Sequence, residues 1–173
     1  GGPDPYSASK GAAELAIRSY KKSFFNTEDS NIRIASARAG NVIGGGDWAK
    51  NRIVPDCINA WSNNNSVELR NPSSTRPWQH VLEPLGGYLT LAEKLSKNFD
   101  LHGEAFNFGP PSYQNHSVLA LVQEMSKHWE KVKWKIPNKI EETFYESGLL
   151  KLNCDKALHL LDWQAILDFK DTV

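Results

Sequence analysis

Tyr6 and Lys10 stand four residues apart in Asp4-Pro5-Tyr6-Ser7-Ala8-Ser9-Lys10, a spacing that puts both side chains on one face of a helix with Cβ atoms about 5–6 Å apart. A phenol titrates near 10 and becomes a useful base at neutral pH only beside a fixed positive charge. Lys10 can supply that charge. Asp4 suits an N-cap and Pro5 the first helical position, so the phenol falls at a helix entrance. Ala8, Ser9, Gly11, Ala12 and Ala13 leave a small-residue surface against which something bulky can lie. On an ordinary helix the same pair would be a half-buried ring beside a solvated amine.

The elements that must hold this pair follow along the chain. The helix is predicted to run from Tyr6 to about residue 24, and residues 31–38 alternate as a strand does. A helix followed by a strand suggests the last part of a parallel α/β sheet. The glycine-rich stretch 39–50 is expected to be an irregular loop at the carboxyl end of that strand, where open α/β sheets bind ligands. Next come a helix over 54–62, a short strand over 67–69, and a helix from Pro84 to about residue 95 with Leu85, Leu89, Ala92 and Leu95 on one side. A strand over 105–108 ends at Gly109-Pro110-Pro111. Val118, Leu121, Val122, Met125 and Trp129 keep the helical period and face a core. A strand over 131–136 and helices over 156–161 and from 166 onward complete the chain.

Twenty basic and twenty acidic residues among 173 leave no net charge, which argues against a nucleic-acid or anionic membrane surface. An apolar share of 40% is enough for a core. Cys57 and Cys154 suggest buried thiols in a reducing cytoplasm, and no Cys/His cluster has metal-binding spacing. No apolar run is long enough to span a bilayer. The chain opens at Gly1 directly before the Tyr6 helix and is expected to be an internal fragment. Gly44-Gly45-Gly46 lacks the Lys-Ser/Thr of a phosphate loop.

The Tyr-x-x-x-Lys pair on its small-residue helix resembles the active-site helix of the short-chain dehydrogenase/reductase family. In that family the tyrosine is the acid/base, and the lysine holds the nicotinamide ribose and lowers the tyrosine pKa. Further segments are similar to the extended, sugar-nucleotide branch. Arg38-Ala39-Gly40-Asn41-Val42-Ile43-Gly44 resembles its Arg-x-x-Asn-x-x-Gly segment, which implies that Asn41 contacts substrate while the backbone at Ala39, Gly40 and Val42 faces the nicotinamide. Arg52-Ile53-Val54-Pro55 implies that Arg52 and Ile53 lie beside the nucleotide base and ribose. Thr75-Arg76-Pro77-Trp78-Gln79-His80-Val81 implies that Arg76 clamps the diphosphate, a task suited to a fork that donates two parallel hydrogen bonds. His80 reads as a structural imidazole. Phe106-Asn107-Phe108-Gly109 places Asn107 near substrate or in a turn. Tyr145 and Glu146, with Trp163 downstream, resemble a late segment that closes over the nucleotide, or else a loop and helix cap. Ile43-Gly44-Gly45 stands where many relatives have Tyr-Gly-Pro, and Pro77 where they have Asp.

The resemblance implies an α/β chain: the C-terminal part of an extended Rossmann-type, doubly wound fold plus a small mixed α/β substrate-binding lobe, without the N-terminal cofactor-binding half. Residues 1–50 would end the Rossmann-type domain, and 51–173 would be mainly the substrate lobe, with about 79–108 returning to the first domain. It further implies NAD as cofactor, CDP-glucose or a similar nucleotide sugar as substrate, and a homodimer or higher oligomer through the Tyr6 helix. The implied reaction is dehydration of the sugar with internally recycled NAD, in deoxysugar and surface-polysaccharide precursor synthesis. The isolated fragment is expected to be inactive. Another nucleotide-sugar dehydratase, an epimerase, or a binding module that has lost its chemistry are the alternatives.

Overall fold

The computed structural model describes residues 4–27, 30–137 and 149–173. Helix α1 spans Pro5–Phe24; the Asp4 carboxylate accepts from Ser7 N at 2.9 Å, and Lys21 and Lys22 lie in the last turn, where cations oppose the helix dipole. None of its side chains is buried. The helix docks through a polar strip. Glu14 accepts from Ser36 Oγ at 3.2 Å and from Arg38 Nε at 2.7 Å. Past the helix end, Phe25 O lies 2.6 Å from His102 Nε2, while Ile34 N donates to Nδ1 of the same ring at 3.1 Å. Because the carbonyl can only accept, the proton of His102 sits on Nε2.

Strand β1 (Ser36–Ala39) pairs in parallel with β6 (Ala105–Phe108), Ser36 opposite Ala105 and Ala39 opposite Phe108. The expected strand over 31–38 is therefore shorter at its start. Its partner begins at Ala105, after a turn in which Gly103 adopts φ +78°, and the bond from Gly103 N to Ile34 O at 2.6 Å is the earliest backbone bond between the two segments among the described residues. The loop expected over 39–50 contains a further strand, β2 (Val42–Ile43), parallel to β5 (Gln79–His80). Only from Gly44 does the chain become irregular. Strand β3 (Val67–Glu68) runs parallel to β8 (Trp134–Lys135), and β4 (Thr75–Arg76) runs antiparallel to β7 (His116–Ser117). The strand expected over 131–136 is limited to its two central residues.

Two apolar cores result. One gathers Cys57 and Trp61 from α2 (Ile53–Ser62), Leu69, Trp78, and Leu121 and Val122 from α4 (Val118–Met125). Trp129 packs against it, 6.2 Å from Trp61. It does so from beyond the helix, which ends at Met125 and gives way to a 3-10 turn over Ser126–His128. Burial pushes the Cys57 thiol up to about 12, with the Asp56 charge adding to the effect. The other core joins Leu91 and Leu95 of α3 (Leu82–Lys97), Phe106 and Phe108 of β6, Leu161 of α5 (Asp155–Leu161) and Trp163. The last helix, α6 (Phe169–Thr172), returns Phe169 to the first core.

Helix α3 turns a different face inward from the one its leucines suggest. Pro84, Gly87, Leu91 and Leu95 are buried, whereas Leu85 and Leu89 are 47% and 74% exposed and Ala92 is exposed. The cause is Phe108. A Cβ on Gly87 would lie 2.3 Å from its ring, so the aromatic ring seats where the helix carries no side chain. Among the described residues no helix is long and apolar enough to cross a membrane, and no cluster of three or more His, Cys, Asp or Glu could hold a metal.

Candidate active site

Four segments meet at the carboxyl ends of β1 and β6 and the amino ends of β2 and β5. A Cβ on Gly40 would lie 3.0 Å from Pro77 Cγ and 3.1 Å from Leu152 Cδ1, and one on Gly109 would lie 3.0 Å from the same leucine. Glycine is needed at this junction because the backbones approach within side-chain distance. Gly40 N donates to Phe108 O at 3.3 Å, and Gln79 N donates to Asn41 O at 3.0 Å. The loop with Asn41, the segment with Arg76 and the strand end with Asn107 are thus brought together. This is the carboxyl edge of a parallel sheet, where open α/β folds place ligands.

Tyr6 and Lys10 lie at the amino end of α1, on the face foreseen from their spacing. Tyr6 is 71% exposed, and Lys10 Nζ is 5.6 Å from its ring centroid. The ammonium therefore faces the ring from solvent, leaving the phenol open to a ligand. Glu14, two turns along, links this helix to β1 through Ser36 and Arg38. The Arg38 hydrogen bond holds the Glu14 carboxyl below the usual carboxylate range and raises the guanidinium in turn.

Ala39 and Val42 are exposed beside the junction, and Asn41 and Gly40 are partly buried. Arg52 is exposed and pairs with Asp47 at 2.9 Å. Asp47 also accepts from Ala49 N, and these two bonds lower its carboxyl. Ile53 opens α2 and packs against the first core. Arg76 is 8% exposed and donates from Nη1 to Thr75 O at 2.8 Å. Asn107 donates from Nδ2 to Asn153 O at 2.9 Å, tying β6 to the chain before α5. His80 accepts from Leu82 N at the start of α3, the structural role expected of it. Trp163 is a core residue, edge-on to Phe108 at 4.9 Å. Tyr145 and Glu146 lie outside the described residues. The sequence reading passed over Gln79 and Leu152, the two side chains that join the segments; a polar residue at an inward strand position between Trp78 and His80 was the available signal for the first.

Comparison with known proteins now bears on the site. The chain is 46% identical over 167 residues to a CDP-glucose 4,6-dehydratase of Salmonella typhimurium strain LT2, an alignment covering 94% of this chain and 46% of that protein. It is a homologue of CDP-glucose 4,6-dehydratase. No protein-family model matches it. Among solved structures, a UDP-glucuronic acid 4-epimerase from Bacillus cereus, in complex with UDP-glucuronic acid and NAD, superposes with a TM-score of 0.79 at 18% identity, over 98% of this chain and 50% of that one. A dTDP-glucose 4,6-dehydratase from Bacillus anthracis strain Ames, in complex with NAD, gives 0.72 at 16% identity, over 99% and 50%. These likenesses establish the fold: a mixed α/β chain matching the C-terminal part of extended short-chain dehydrogenase/reductase structures. The chain spans about half the length of the relatives it matches.

Proposed function

We propose that these residues form the C-terminal half of an NAD-dependent CDP-glucose 4,6-dehydratase. The observation that carries this reading is the 46% identity to the Salmonella enzyme, together with an exposed Tyr6–Lys10 pair on an otherwise small-residue helix face. The homologue and the structural relatives support the enzyme class; the substrate, the cytoplasmic location and the residue roles are our reading.

The residues present fit NAD. An exposed phenol and ammonium share one face of α1, Ala39 is exposed at the carboxyl end of β1, and Val42 is exposed where β2 begins just beyond it. These residues, with the backbone of Gly40, would hold the nicotinamide end, and the bound cofactor would supply a reversible oxidant for the sugar. Tyr6, as the phenolate, takes the proton of the 4-hydroxyl, and Lys10 favours that anion electrostatically. Once C4 is a ketone, the neighbouring C5 hydrogen is acidic and water can leave across C5 and C6. The acid/base pair for that elimination is not among the residues assigned here. Arg76 receives the diphosphate, Asn41 and Asn107 the sugar side, and Arg52, Ile53, Tyr145 and Glu146 the nucleoside side.

A 4-epimerase or a dehydratase of another nucleotide sugar is the second reading, favoured by the fold match to the UDP-glucuronic acid epimerase. Both would share Tyr6 and Lys10. Product analysis of the whole protein with CDP-glucose separates them: the 4-keto-6-deoxy sugar is expected, and a 4-epimer or no conversion overturns the primary reading. In the same protein Arg76→Ala should weaken CDP binding by about 1.5–3 kcal/mol, the worth of charge-assisted hydrogen bonds. Calorimetric titration checks this, and an affinity equal to wild type would make Arg76 purely structural. The proposed oligomer would form through α1, a reading supported by Leu15, Tyr20 and Phe24 at 66%, 59% and 68% exposed. The 173 residues alone should be inactive.

A further inference from the structure

We infer that Gln79 is a positioning residue that fixes the spacing between the Asn41 loop and the Asn107 strand end; its catalytic consequence rests on the function proposed above. The side chain is 1% exposed. Its backbone nitrogen donates to Asn41 O at 3.0 Å, and its side-chain Nε2 donates to Phe108 O at 2.9 Å. Phe108 O also accepts from Gly40 N at 3.3 Å. One residue, three places after Arg76, therefore bonds to both of the other segments that carry substrate-side asparagines.

The orientation of the amide follows from its partner. A backbone carbonyl can only accept, so the atom facing Phe108 O must be the nitrogen. Oε1 then points away, and it is buried without a hydrogen-bond partner among the described residues. A buried carbonyl without a donor is unfavourable, and an aliphatic side chain of similar size would fill the same space without it. The amide is thus retained at some loss of stability, and the bond that only an amide can make here is the one to Phe108. That bond has work to do. The β2–β5 ladder is two residues long, and so short a pairing fixes register weakly on its own. Without the cross-link, Gly40–Asn41 and Asn107–Phe108 can shift relative to each other while Arg76 keeps its place in β4.

Gln79→Leu and Gln79→Met in the whole protein test this, with thermal unfolding, hydrogen exchange, CDP titration and turnover of CDP-glucose measured on each. Both variants should unfold at or above the wild-type temperature, yet exchange faster at the amides of 40–43 and 107–109. CDP affinity should stay within about threefold, while kcat falls about ten- to a hundredfold, the scale set by small misplacements of reacting groups. Unchanged exchange at those amides would overturn the proposal. So would unchanged kcat, a fall in unfolding temperature parallel to the fall in kcat, or a loss of CDP affinity as large as the loss of turnover. If the wild-type protein converts no nucleotide sugar, it is the functional reading that fails, and the exchange rates alone then decide the role of Gln79.

Discussion

The 20 residues of α1 contain no buried side chain, whereas the 10 residues of α2 contain Cys57 and Trp61, at 0% and 2% exposure. The helix proposed to carry the chemistry is thus fixed by its own caps and by polar contacts through Glu14 and His102. The lobe proposed to receive the nucleotide sugar is fixed by close packing. The contrast teaches that local sequence can specify a helix without a core, because N-cap, Pro at N1 and basic last turn act within the helix itself. A core holds its members only jointly. Changes to the first region should alter chemistry with little effect on stability, and changes to the second should do the reverse.

The sharpest separation is expected from Tyr6→Phe in the whole protein. It removes one exposed hydroxyl and no packing, so turnover should fall by about two to four powers of ten with the unfolding temperature unmoved; near-normal turnover would break the comparison. Trp61→Ala should act oppositely. It deletes a buried ring and the indole bond to Lys133 O, and about 3–5 kcal/mol of stability should be lost, read from denaturant unfolding. A loss below about 1 kcal/mol would mean that the lobe is not held by this core.

The smallest effect is predicted for Glu14→Gln, which weakens a half-exposed pair with Arg38 and should cost under about 1 kcal/mol. The Glu14 carboxyl lies below its ordinary value of 4.5, chiefly through the Arg38 hydrogen bond. Its contribution is therefore present above that pH and lost as pH falls through the depressed folded-state value. The difference between wild type and variant should be visible at pH 7 and shrink in acid; a difference independent of pH would assign it to packing.

The start of α1 was legible because Asp4 and Pro5 mark it by local chemistry. Strand 105–108 was legible too, ended by Gly109-Pro110-Pro111. The inward face of α3 was not. Leu85, Leu89, Ala92 and Leu95 form one stripe and Pro84, Gly87, Leu91 and Leu95 another, and only the approach of the Phe108 ring to Gly87 selects between them. Strand β2 was missed because its two residues adjoin glycines, and its pairing with β5 spans a sequence separation that no local pattern records. The residues proposed for the chemistry were chosen by type and spacing, whereas Gln79 and Leu152 matter through what they join. Leucine announces nothing of that kind in a one-dimensional pattern, and Gln79 only by being a polar residue between Trp78 and His80.

The enclosed thiol of Cys57 makes the Trp61 core its own reporter. A folded molecule keeps this thiol protonated up to about pH 12, while an unfolded chain ionises it near its ordinary value of 9.0. Between those limits the unfolded state releases a proton that the folded state retains, so alkali draws the lobe open. A thiol-specific reagent at neutral pH meets neither a thiolate nor a path to it until the core separates. The rate at which Cys57 is labelled is then a direct measure of how often that core opens. Cys154 is half-buried at the Gly109 junction, its thiol also raised by burial. Being partly exposed, it can be labelled without the junction separating, and so serves as the reference against which the opening of the Cys57 core is timed.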